Sequence, residues 1–449
     1  MGFADRLKRH LVEDENARFI YLNNFEVERS WAAGEPKLPG AGISFASATV
    51  NRMEEMGVLL AERADIVLLK LPMDSDYAVY LRAIDASAGQ VVAVERSLPS
   101  RTVTEDALES PRTLDFLRGL ADGRTYLMPM GISTAEEELS DSVGLPLAGP
   151  RAEICKRVNG KIYSRRLVDS LGLTAVPGTV CERVSDLADA IEAQGARRGR
   201  AVVKESLGVS GRGMVVLRDR NAAGRLLRLI GRRGQQARVD MVVESWIEDV
   251  TDLNYQFLVS RSGVVRFETV KESVLHNNVH QGHRFPVQIS DEHLATLHES
   301  AQLIGRALYA DGYYGVVGVD AMIGPDGTLY PCLEINARFN MSTYQGRIAE
   351  RFVSEGRHAI AATFNFKQSR AHSFAEVAAT LGQSMFDGTN APGVLVNNFA
   401  TLNAGVTAGV GPFHGRIYGI CIADDRDSAL ALRSRSDERL RTLMESESS

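Results

Sequence analysis

The sequence has few cysteines and no long apolar stretch. Its four cysteines are far apart in the chain and form no Cys-x-x-Cys pair, so neither a zinc site nor a disulfide framework is predicted. No run approaches the roughly 18 consecutive apolar residues of a transmembrane helix, and the segment from Met1 to Arg6 lacks the basic and then apolar pattern of a signal peptide. We therefore expect a cytoplasmic protein with no membrane partner.

The sequence also lacks a marked excess of charge of either sign. It has 51 Lys and Arg against 57 Asp and Glu, a formal net charge of −6. A nucleic-acid-binding protein would be expected to carry a clustered basic face, so we expect no nucleic acid as a partner. At about 100–200 residues per domain, the length of 449 residues indicates two to four domains. Glycine, with 40 residues, is more frequent than usual.

Patterning divides the chain into three regions, 1–150, 151–370 and 371–449. The first alternates short apolar runs with helical stretches, which is typical of a mostly parallel sheet with helices on its faces. Its predicted elements are strands at 19–22, 65–69, 91–94 and 126–128 and a helix at 54–63. The second region predicts helices at 161–171 and 291–310 and strands at 201–204, 214–217, 240–244, 253–260, 316–323 and 328–335. The third predicts helices at 374–381 and 424–441 and strands at 394–402 and 415–422.

Three residues of a predicted hairpin could hold a metal ion. Glu334 and Asn336 are two positions apart on one strand, so their side chains share a face. Antiparallel pairing through the Pro-Asp-Gly turn at 325–327 would bring Asp320 beside them. Two carboxylates and an amide oxygen suit Mg²⁺. The alternative is three unrelated polar residues on a solvated sheet face, although the apolar neighbours favour a buried sheet in which carboxylates need partners.

A glycine-rich loop follows Lys204. Its residues Gly208, Ser210, Gly211 and Gly213 would let the backbone approach a phosphate closely, and the lysine adds a point charge. The order of residues differs from a Walker A motif, because the lysine precedes the glycines. The alternative is an ordinary flexible hairpin turn.

The segment that leaves the strand at 240–244 could border an adenine. It comprises Glu244, Ser245, Trp246 and Ile247, and Asp252, a few residues further on, could bind ribose hydroxyls. The alternative is an aromatic side chain packed in a core.

Lys161 begins the predicted helix at 161–171, with Asn159 as a candidate N-cap and Gly172 at its end. The alternative for Lys161 and Arg165 is a solvated helix face.

Taken in order along the chain, these features resemble the ATP-grasp superfamily over about residues 151–370. The most specific parts are the lysine with its glycine-rich loop and the Glu-x-Asn-x-Arg run at 334–338. The resemblance implies an α/β protein of the α+β ATP-grasp type. It would have a Rossmann-like pre-ATP-grasp domain at 1–150, a catalytic core of two α+β lobes at 151–370 and a small α+β C-terminal domain at 371–449.

The resemblance also implies roles for the candidate residues. Lys161 and Lys204 would bind the ATP phosphates, and the loop from Gly208 to Gly213 would close over them. The adenine would be bordered by Glu244, Ser245, Trp246 and Ile247, and the ribose would be bound by Asp252, with Glu248 as an equally placed candidate. Mg²⁺, with Mn²⁺ as an alternative, would be held by Asp320, Glu334 and Asn336. Arg338 would contact the transferred phosphate or the acyl phosphate.

The outer regions resemble a narrower group. The runs at 23–26, 397–400 and 411–419 resemble free-standing peptide ligases of the pheganomycin type, whose relatives include ligases that load amino acids onto acyl carrier proteins. The resemblance implies ADP-forming synthesis of a peptide or amide bond through an acyl phosphate, on amino acids or small peptides in natural-product biosynthesis. The alternatives are a thioester-forming amino acid–acyl carrier protein ligase and a catalytically silent ATP-binding regulator.

The substrate residues are expected in the segment 268–284, which the sequence places between the adenine and metal strands. We expect Lys271, His280 and Arg284 to contact the substrate carboxylate or the acyl phosphate, with Lys271 and Arg284 acting in catalysis beside Arg338. The alternative is a surface loop. A homodimer through the N-terminal or C-terminal region is also expected.

Overall fold

The computed structural model describes residues 2–39, 48–198, 200–208, 213–276, 279–353, 356–406 and 412–445. Within them the strands form three sheets: a four-stranded sheet near the N-terminus, a second four-stranded sheet, and a sheet of eight strands. None of the helices in this described part has both the length and the apolar character needed to cross a membrane.

The N-terminal sheet is parallel, with strand order β3-β2-β1-β4. Its apolar strands lie between helices, as expected for a parallel sheet covered on both faces, so the predicted α/β organisation is confirmed. The elements are α1 (Phe3–Val12), β1 (Arg18–Leu22), α2 (Val27–Trp31), α3 (Ala48–Asn51), β2 (Ile66–Leu69), α4 (Ser75–Ala83), β3 (Gln90–Ala93), α5 (Val103–Leu108), α6 (Pro111–Arg118), β4 (Thr125–Pro129) and α7 (Thr134–Val143).

One helix of this region differs from its prediction. The α-helix expected at 54–63 is a 3₁₀ helix over Arg52–Leu59. Gly57, a poor helix former, lies in its middle and packs onto the loop after β1, where a Cβ would lie 1.8 Å from the Asn23 amide nitrogen. The 3₁₀ helix is thus shorter and tighter than the predicted α-helix, and Gly57 lets it pack closely against that loop.

The second sheet is antiparallel, with strand order β5-β8-β6-β7. We call this sheet with its helices the small lobe. The elements from residue 152 onward are α8 (Ala152–Val158), α9 (Lys161–Leu171), β5 (Gly178–Arg183), α10 (Val184–Arg198), β6 (Ala201–Glu205), β7 (Met214–Leu217), α11 (Arg220–Gly231) and β8 (Arg238–Ser245).

The predicted bounds of α9 are confirmed, but its predicted N-cap is wrong. Gly172 ends the helix with φ +64°, the left-handed conformation that favours glycine. The N-cap is Gly160, whereas Asn159 ends the preceding helix α8. Its side-chain amide donates to the carbonyl oxygens of Cys155 and Ala337, so it connects α8 to the large sheet.

A segment of the N-terminal region completes the small lobe. Leu38 is 3% exposed and belongs to the apolar core of this lobe. Its backbone N–H donates to Glu205 Oε1 at 2.6 Å, and the Glu205 N–H donates to the Gly213 carbonyl oxygen at 2.7 Å. Glu35 pairs with Lys156 at 2.7 Å. The segment around Leu38 is thus bound to the lobe by both apolar and polar contacts.

The large sheet has strand order β13-β12-β9-β10-β11-β14-β16-β15, and its hydrogen-bonded neighbours are antiparallel. Helix α12 agrees with its predicted bounds, and the predicted hairpin is formed by β12 and β13. The elements are β9 (Thr251–Val259), β10 (Val265–His276), β11 (Val279–Phe285), α12 (Asp291–Ala310), β12 (Gly315–Ile323), β13 (Leu329–Asn336), α13 (Gly346–Phe352), β14 (His358–Gln368), α14 (Phe374–Leu381), β15 (Gly393–Asn398), β16 (Phe413–Ala423) and α15 (Arg426–Glu445).

The segment 268–284 is part of this sheet, so the alternative of a surface loop is wrong. It contributes to β10 and β11, which pair with each other in the middle of the sheet. On the other side, β15 and β16 continue the sheet from β14 across residue 370. The three domain ranges given above stay a prediction.

Candidate active site

A polar row crosses four adjacent strands of the large sheet. The pairing register places Glu334 opposite Asp320, Asp320 opposite Asn254, and Asn254 opposite Lys271. Directly paired residues share one face of a sheet. The hairpin therefore brings Asp320 and Glu334 together as the sequence predicts, and the same row includes Asn254, which sequence reasoning missed.

Asp320 is the most constrained member of this row. It accepts hydrogen bonds from the amide nitrogens of Asn254 at 2.8 Å and Asn336 at 3.1 Å. Burial, with the neighbouring Glu334 carboxylate, raises the pKa of Asp320 to about 6. Two carboxylates held this close favour a bound cation.

The donor set at this point fits a hard divalent cation with open positions. The part of the chain that the structure describes contains no group of three or more His, Cys, Asp or Glu residues arranged to hold a metal. The candidate ligands stay those predicted from the sequence, two carboxylates from Asp320 and Glu334 and the Asn336 amide. Mg²⁺ is commonly bound through one or two carboxylates, with phosphate and water completing its shell. The Asn336 amide directs its nitrogen to Asp320 and its oxygen to Arg338, which differs from the oxygen donor expected.

Two lysines from the small-lobe side reach the same region. Lys161 Nζ lies 2.7 Å from Glu334 Oε1 and donates to the Gly208 carbonyl oxygen at 2.7 Å. Lys204 Nζ donates to Glu244 Oε2 at 2.6 Å. Burial opposes the charge of Lys204, but Glu244, together with Glu334 and Asp320, raises its pKa above the ordinary value. Both lysines are therefore positioned near the carboxylates.

Arg338 joins this site to the N-terminal region. Its guanidinium donates to Asn336 Oδ1 at 2.9 Å and to the Phe339 carbonyl oxygen at 3.0 Å, and its Nε lies 2.6 Å from Glu28 Oε1. Glu28 belongs to α2, more than 300 residues away in sequence. Sequence reasoning missed Glu28, and no local pattern marks it.

The segment at the end of β8 borders an apolar cluster between the two sheets. Ile247 packs there with Val176, Met322 and Tyr330. Ser245 is engaged within the small lobe, where its N–H donates to the Pro177 carbonyl oxygen at 2.8 Å. The Trp246 side chain is half-buried. The cluster offers an apolar wall beside Glu244, as the proposed adenine site requires.

The two candidate ribose carboxylates differ in position. Asp252 pairs in register with Met322, which belongs to that apolar cluster. Burial, with the Asp320 charge, raises the pKa of Asp252 to about 6. Glu248 is 55% exposed and forms an ion pair with Arg200. Asp252 is therefore the better placed of the two.

The structure separates the candidate substrate residues. Lys271 lies in the polar row, fully buried, and donates to the Ser342 carbonyl oxygen at 3.0 Å. Arg284 pairs in register with Glu272, the next residue, so its side chain is on the opposite face of the sheet. There it donates to Glu272 at 2.6 Å. Arg284 is thus not brought together with the row. Ser210 and Gly211 lie outside the described residues, as does the side chain of His280.

Lys271 makes the stability of the fold depend on pH. Burial lowers its pKa from 10.5 to about 7, so between these values the unfolded chain binds more protons than the folded one. The contribution of Lys271 to the free energy of unfolding is therefore largest above the unfolded pKa of 10.5, and it is lost as the pH falls toward 7. We expect the free energy of unfolding of the wild type to rise with pH more steeply than that of Lys271→Met, by ~1.4 kcal/mol per pH unit.

Urea unfolding at about pH 7.5, 8.5 and 9.5 measures this difference. Lys367→Met, at an exposed position of β14, is the matched control and should keep the wild-type slope. Equal slopes for wild type and Lys271→Met would contradict the prediction.

The comparisons with known proteins agree with this architecture. Residues 53–145 match a family model described as the Pre ATP-grasp domain. The fold resembles N5-carboxyaminoimidazole synthetase from Staphylococcus aureus complexed with ADP, with a TM-score of 0.53 and 11% identity over 94% of this chain and 97% of that one. The chain has the ATP-grasp fold.

A second solved structure and one curated sequence are also similar to this chain. The biotin carboxylase domain of Hydrogenobacter thermophilus 2-oxoglutarate carboxylase, in complex with MgADP, ADP and bicarbonate, has a TM-score of 0.53 and 15% identity over 94% of this chain and 89% of that one. In sequence, the chain is 28% identical over 201 residues to the [Butirosin acyl-carrier protein]--L-glutamate ligase of Niallia circulans. That match spans 44% of this chain and 48%, about half, of the relative's length.

Proposed function

We propose that this protein is an ATP-dependent carboxylate–amine ligase that forms a peptide or amide bond. The observation that carries the proposal is the polar row with Asp320 and Glu334, flanked by Lys161, Lys204 and Arg338. These groups supply what phosphoryl transfer needs from a protein, which is positioning and charge neutralisation. The ATP-grasp fold supports assigning ATP as the phosphoryl donor.

In the first step, a substrate carboxylate oxygen attacks the γ-phosphorus of ATP. A new P–O bond forms, the bond between that phosphorus and the bridging oxygen breaks, and ADP leaves with the electron pair. Lys161 and Lys204 would bind the phosphate oxygens, each exchanging a carboxylate partner for the nucleotide. Arg338 would bind two oxygens of the transferred group, as a guanidinium can.

Asp320 and Glu334 would hold Mg²⁺, with Mn²⁺ as an alternative, and Asn336 would join them by exchanging Arg338 for the cation at its Oδ1. When bound, the metal would neutralise charge on the phosphates. Around it, Asn254 keeps Asp320 in place by its hydrogen bond. Asp252 and the apolar cluster at Ile247 would bind the ribose and the adenine.

In the second step, a nucleophile attacks the acyl carbon and inorganic phosphate leaves. With an amine, loss of a proton from nitrogen completes the amide. We propose amino acids or small peptides as substrates, in a biosynthetic pathway of the natural-product type. The resemblance of the outer segments to peptide ligases supports this choice.

A carrier-protein thiol is the second candidate nucleophile. It is favoured by the similarity to the acyl-carrier protein–glutamate ligase. The product would then be a thioester, with the thiol proton lost in place of the amine proton. Both candidates share the acyl phosphate and the release of ADP.

The test is a product analysis with the full chain. ATP is incubated with amino acids, singly and in pairs, with and without a phosphopantetheinylated carrier protein, and hydroxylamine is added to trap an acyl phosphate as a hydroxamate. We expect ADP, phosphate and an amino-acid-dependent hydroxamate. Mass spectrometry of the products separates amide from thioester. Release of AMP and pyrophosphate would contradict the acyl-phosphate mechanism, and ATP binding without turnover across the panel would favour the silent regulator.

A further inference from the structure

Arg165 is a shielded cation of α9 to which the proposed reaction gives no role. It lies four residues after Lys161, so the two side chains share a face of the helix. The exposed fractions of the two side chains are 10% for Lys161 and 11% for Arg165, so the alternative of a solvated helix face is wrong. One helix therefore carries a proposed phosphate-binding lysine and, one turn later, a second shielded cation.

Arg165 approaches the carboxylate that holds Lys204. Its Nη1 lies 3.5 Å from Glu244 Oε1, and Lys204 Nζ lies 2.6 Å from Oε2 of the same carboxylate. The Glu244 side chain is 8% exposed. Two cations thus share one buried carboxylate, with one cation at each oxygen.

Other contacts hold the guanidinium of Arg165 in this place. Nη1 donates to the Val176 carbonyl oxygen at 2.6 Å, and Nε donates to Asp169 Oδ2 at 3.0 Å. The neighbouring strand approaches closely, since a Cβ on Gly178 would lie 3.0 Å from Nη1 and 2.6 Å from the Cγ of Glu244. The guanidinium would therefore stay beside this carboxylate if the lysine moved away.

ATP binding creates a need for such a cation. In the proposed reaction Lys204 exchanges Glu244 for the ATP phosphates, and a buried carboxylate left without a cation is costly because water cannot solvate it there. Lys161 makes a similar exchange, but its partner Glu334 is a quarter exposed and would gain the metal ion. Glu244 is more deeply buried, and of its two ion-pair partners Arg165 is the one that remains.

We propose that Arg165 is a positioning residue for ATP binding, which neutralises Glu244 when Lys204 leaves it for the phosphates. This role rests on the proposed function, in which Lys204 binds the ATP phosphates. Arginine suits the role, because its guanidinium stays charged at any ordinary pH and holds its donors in a fixed plane. Nη1 carries two hydrogens, so it can donate to Glu244 while it keeps its bond to Val176.

The test is isothermal titration calorimetry of the full chain with the magnesium complex of β,γ-imido-ATP, an analogue that is not hydrolysed. Arg165→Met keeps a long side chain but removes the charge, and we expect the Kd to rise at least about 10-fold. Arg165→Lys keeps the charge and should raise the Kd less. Arg166→Met, which removes the 61% exposed arginine next to it on the same helix, is the matched control and should keep the wild-type Kd.

A double-mutant comparison separates the charge of Arg165 from its structural contacts. With Glu244→Gln there is no carboxylate to neutralise, so adding Arg165→Met should then change the Kd less than about twofold. The contacts with Val176 and Asp169 are lost in both cases. An equal rise of the Kd with and without Glu244→Gln would mean that Arg165 acts through those contacts, and would overturn the proposal. Circular dichroism and the urea midpoint check the fold, and Arg165→Lys takes the place of Arg165→Met in the comparison if the latter does not fold.

The titration requires no carboxylate substrate, so its outcome is separate from that of the ligase reaction. Failure of the wild type to bind the analogue would contradict the assignment of ATP and this role with it. Wild-type binding together with an unchanged Kd in Arg165→Met would overturn the role of Arg165 alone. At saturating ATP the kcat of Arg165→Met should stay within about threefold of the wild type, because the arginine contributes to nucleotide binding and not to the transfer itself.

Discussion

Glu334→Ala is expected to lower the rate of ADP formation by about 10³-fold or more, ~4 kcal/mol in the activation barrier. Glu334 provides one of the two carboxylates of the proposed metal site, and it is also the partner of Lys161 at 2.7 Å. Its loss leaves Asp320 as the only carboxylate of that site and frees the lysine. The measurement is the initial rate of ADP release under saturating ATP and Mg²⁺, with the substrates that the product analysis identifies.

The fold should tolerate this change. The Glu334 side chain is a quarter exposed, and alanine keeps the strand β13. Circular dichroism and the urea midpoint should remain near those of the wild type. Glu299→Ala, at an exposed position of α12, is the matched control and should keep full activity. Near-normal turnover of Glu334→Ala would contradict the metal assignment.

Arg338→Lys is expected to lower kcat by about 10²-fold although it keeps the positive charge. The guanidinium of Arg338 contacts Asn336, Phe339 and Glu28 from three nitrogen atoms. A lysine ammonium is a single point charge on a flexible stem and cannot reproduce this planar arrangement. The KM for ATP should change much less than kcat, because the lysines Lys161 and Lys204 remain.

Glu28→Gln separates the two roles of Arg338. It removes the ion pair with α2 but leaves the guanidinium free to contact a transferred phosphate, so we expect a loss of less than about 10-fold. Arg306→Lys, at an exposed position of α12, controls for the exchange itself. If Glu28→Gln and Arg338→Lys have equal effects on kcat, Arg338 acts through the ion pair, and the proposed phosphate contact is wrong.

The sequence predicted the elements whose signals are local. Helices α9 and α12 agree with their predicted bounds, because a left-handed glycine ends the first and Ser290 caps the second. The Pro-Asp-Gly turn explains the β12–β13 hairpin, and the pairing of these two strands places Asp320 opposite Glu334. For these residues short-range chemistry was sufficient.

The rest of the site depends on register between distant strands. Lys271 and Glu272 interrupt the apolar pattern of β10, so the sequence pattern did not predict a strand there. Lys271 donates to the Ser342 carbonyl oxygen, which is far along the chain. Glu272 pairs with Arg284, 12 residues away, and with the distant Arg426. That alternation also explains why Arg284 and Lys271, close in sequence, lie on opposite faces of the sheet.

The contact between Leu38 and the small lobe has a consequence for how this protein could be divided. Leu38 fills a place in the core of that lobe, and its N–H satisfies a carboxylate oxygen of Glu205. A fragment that begins at residue 151 would leave an apolar vacancy and an unpaired carboxylate directly beneath Gly213. The small lobe is therefore not self-sufficient, because part of its apolar core is supplied by a residue more than 100 positions before residue 151.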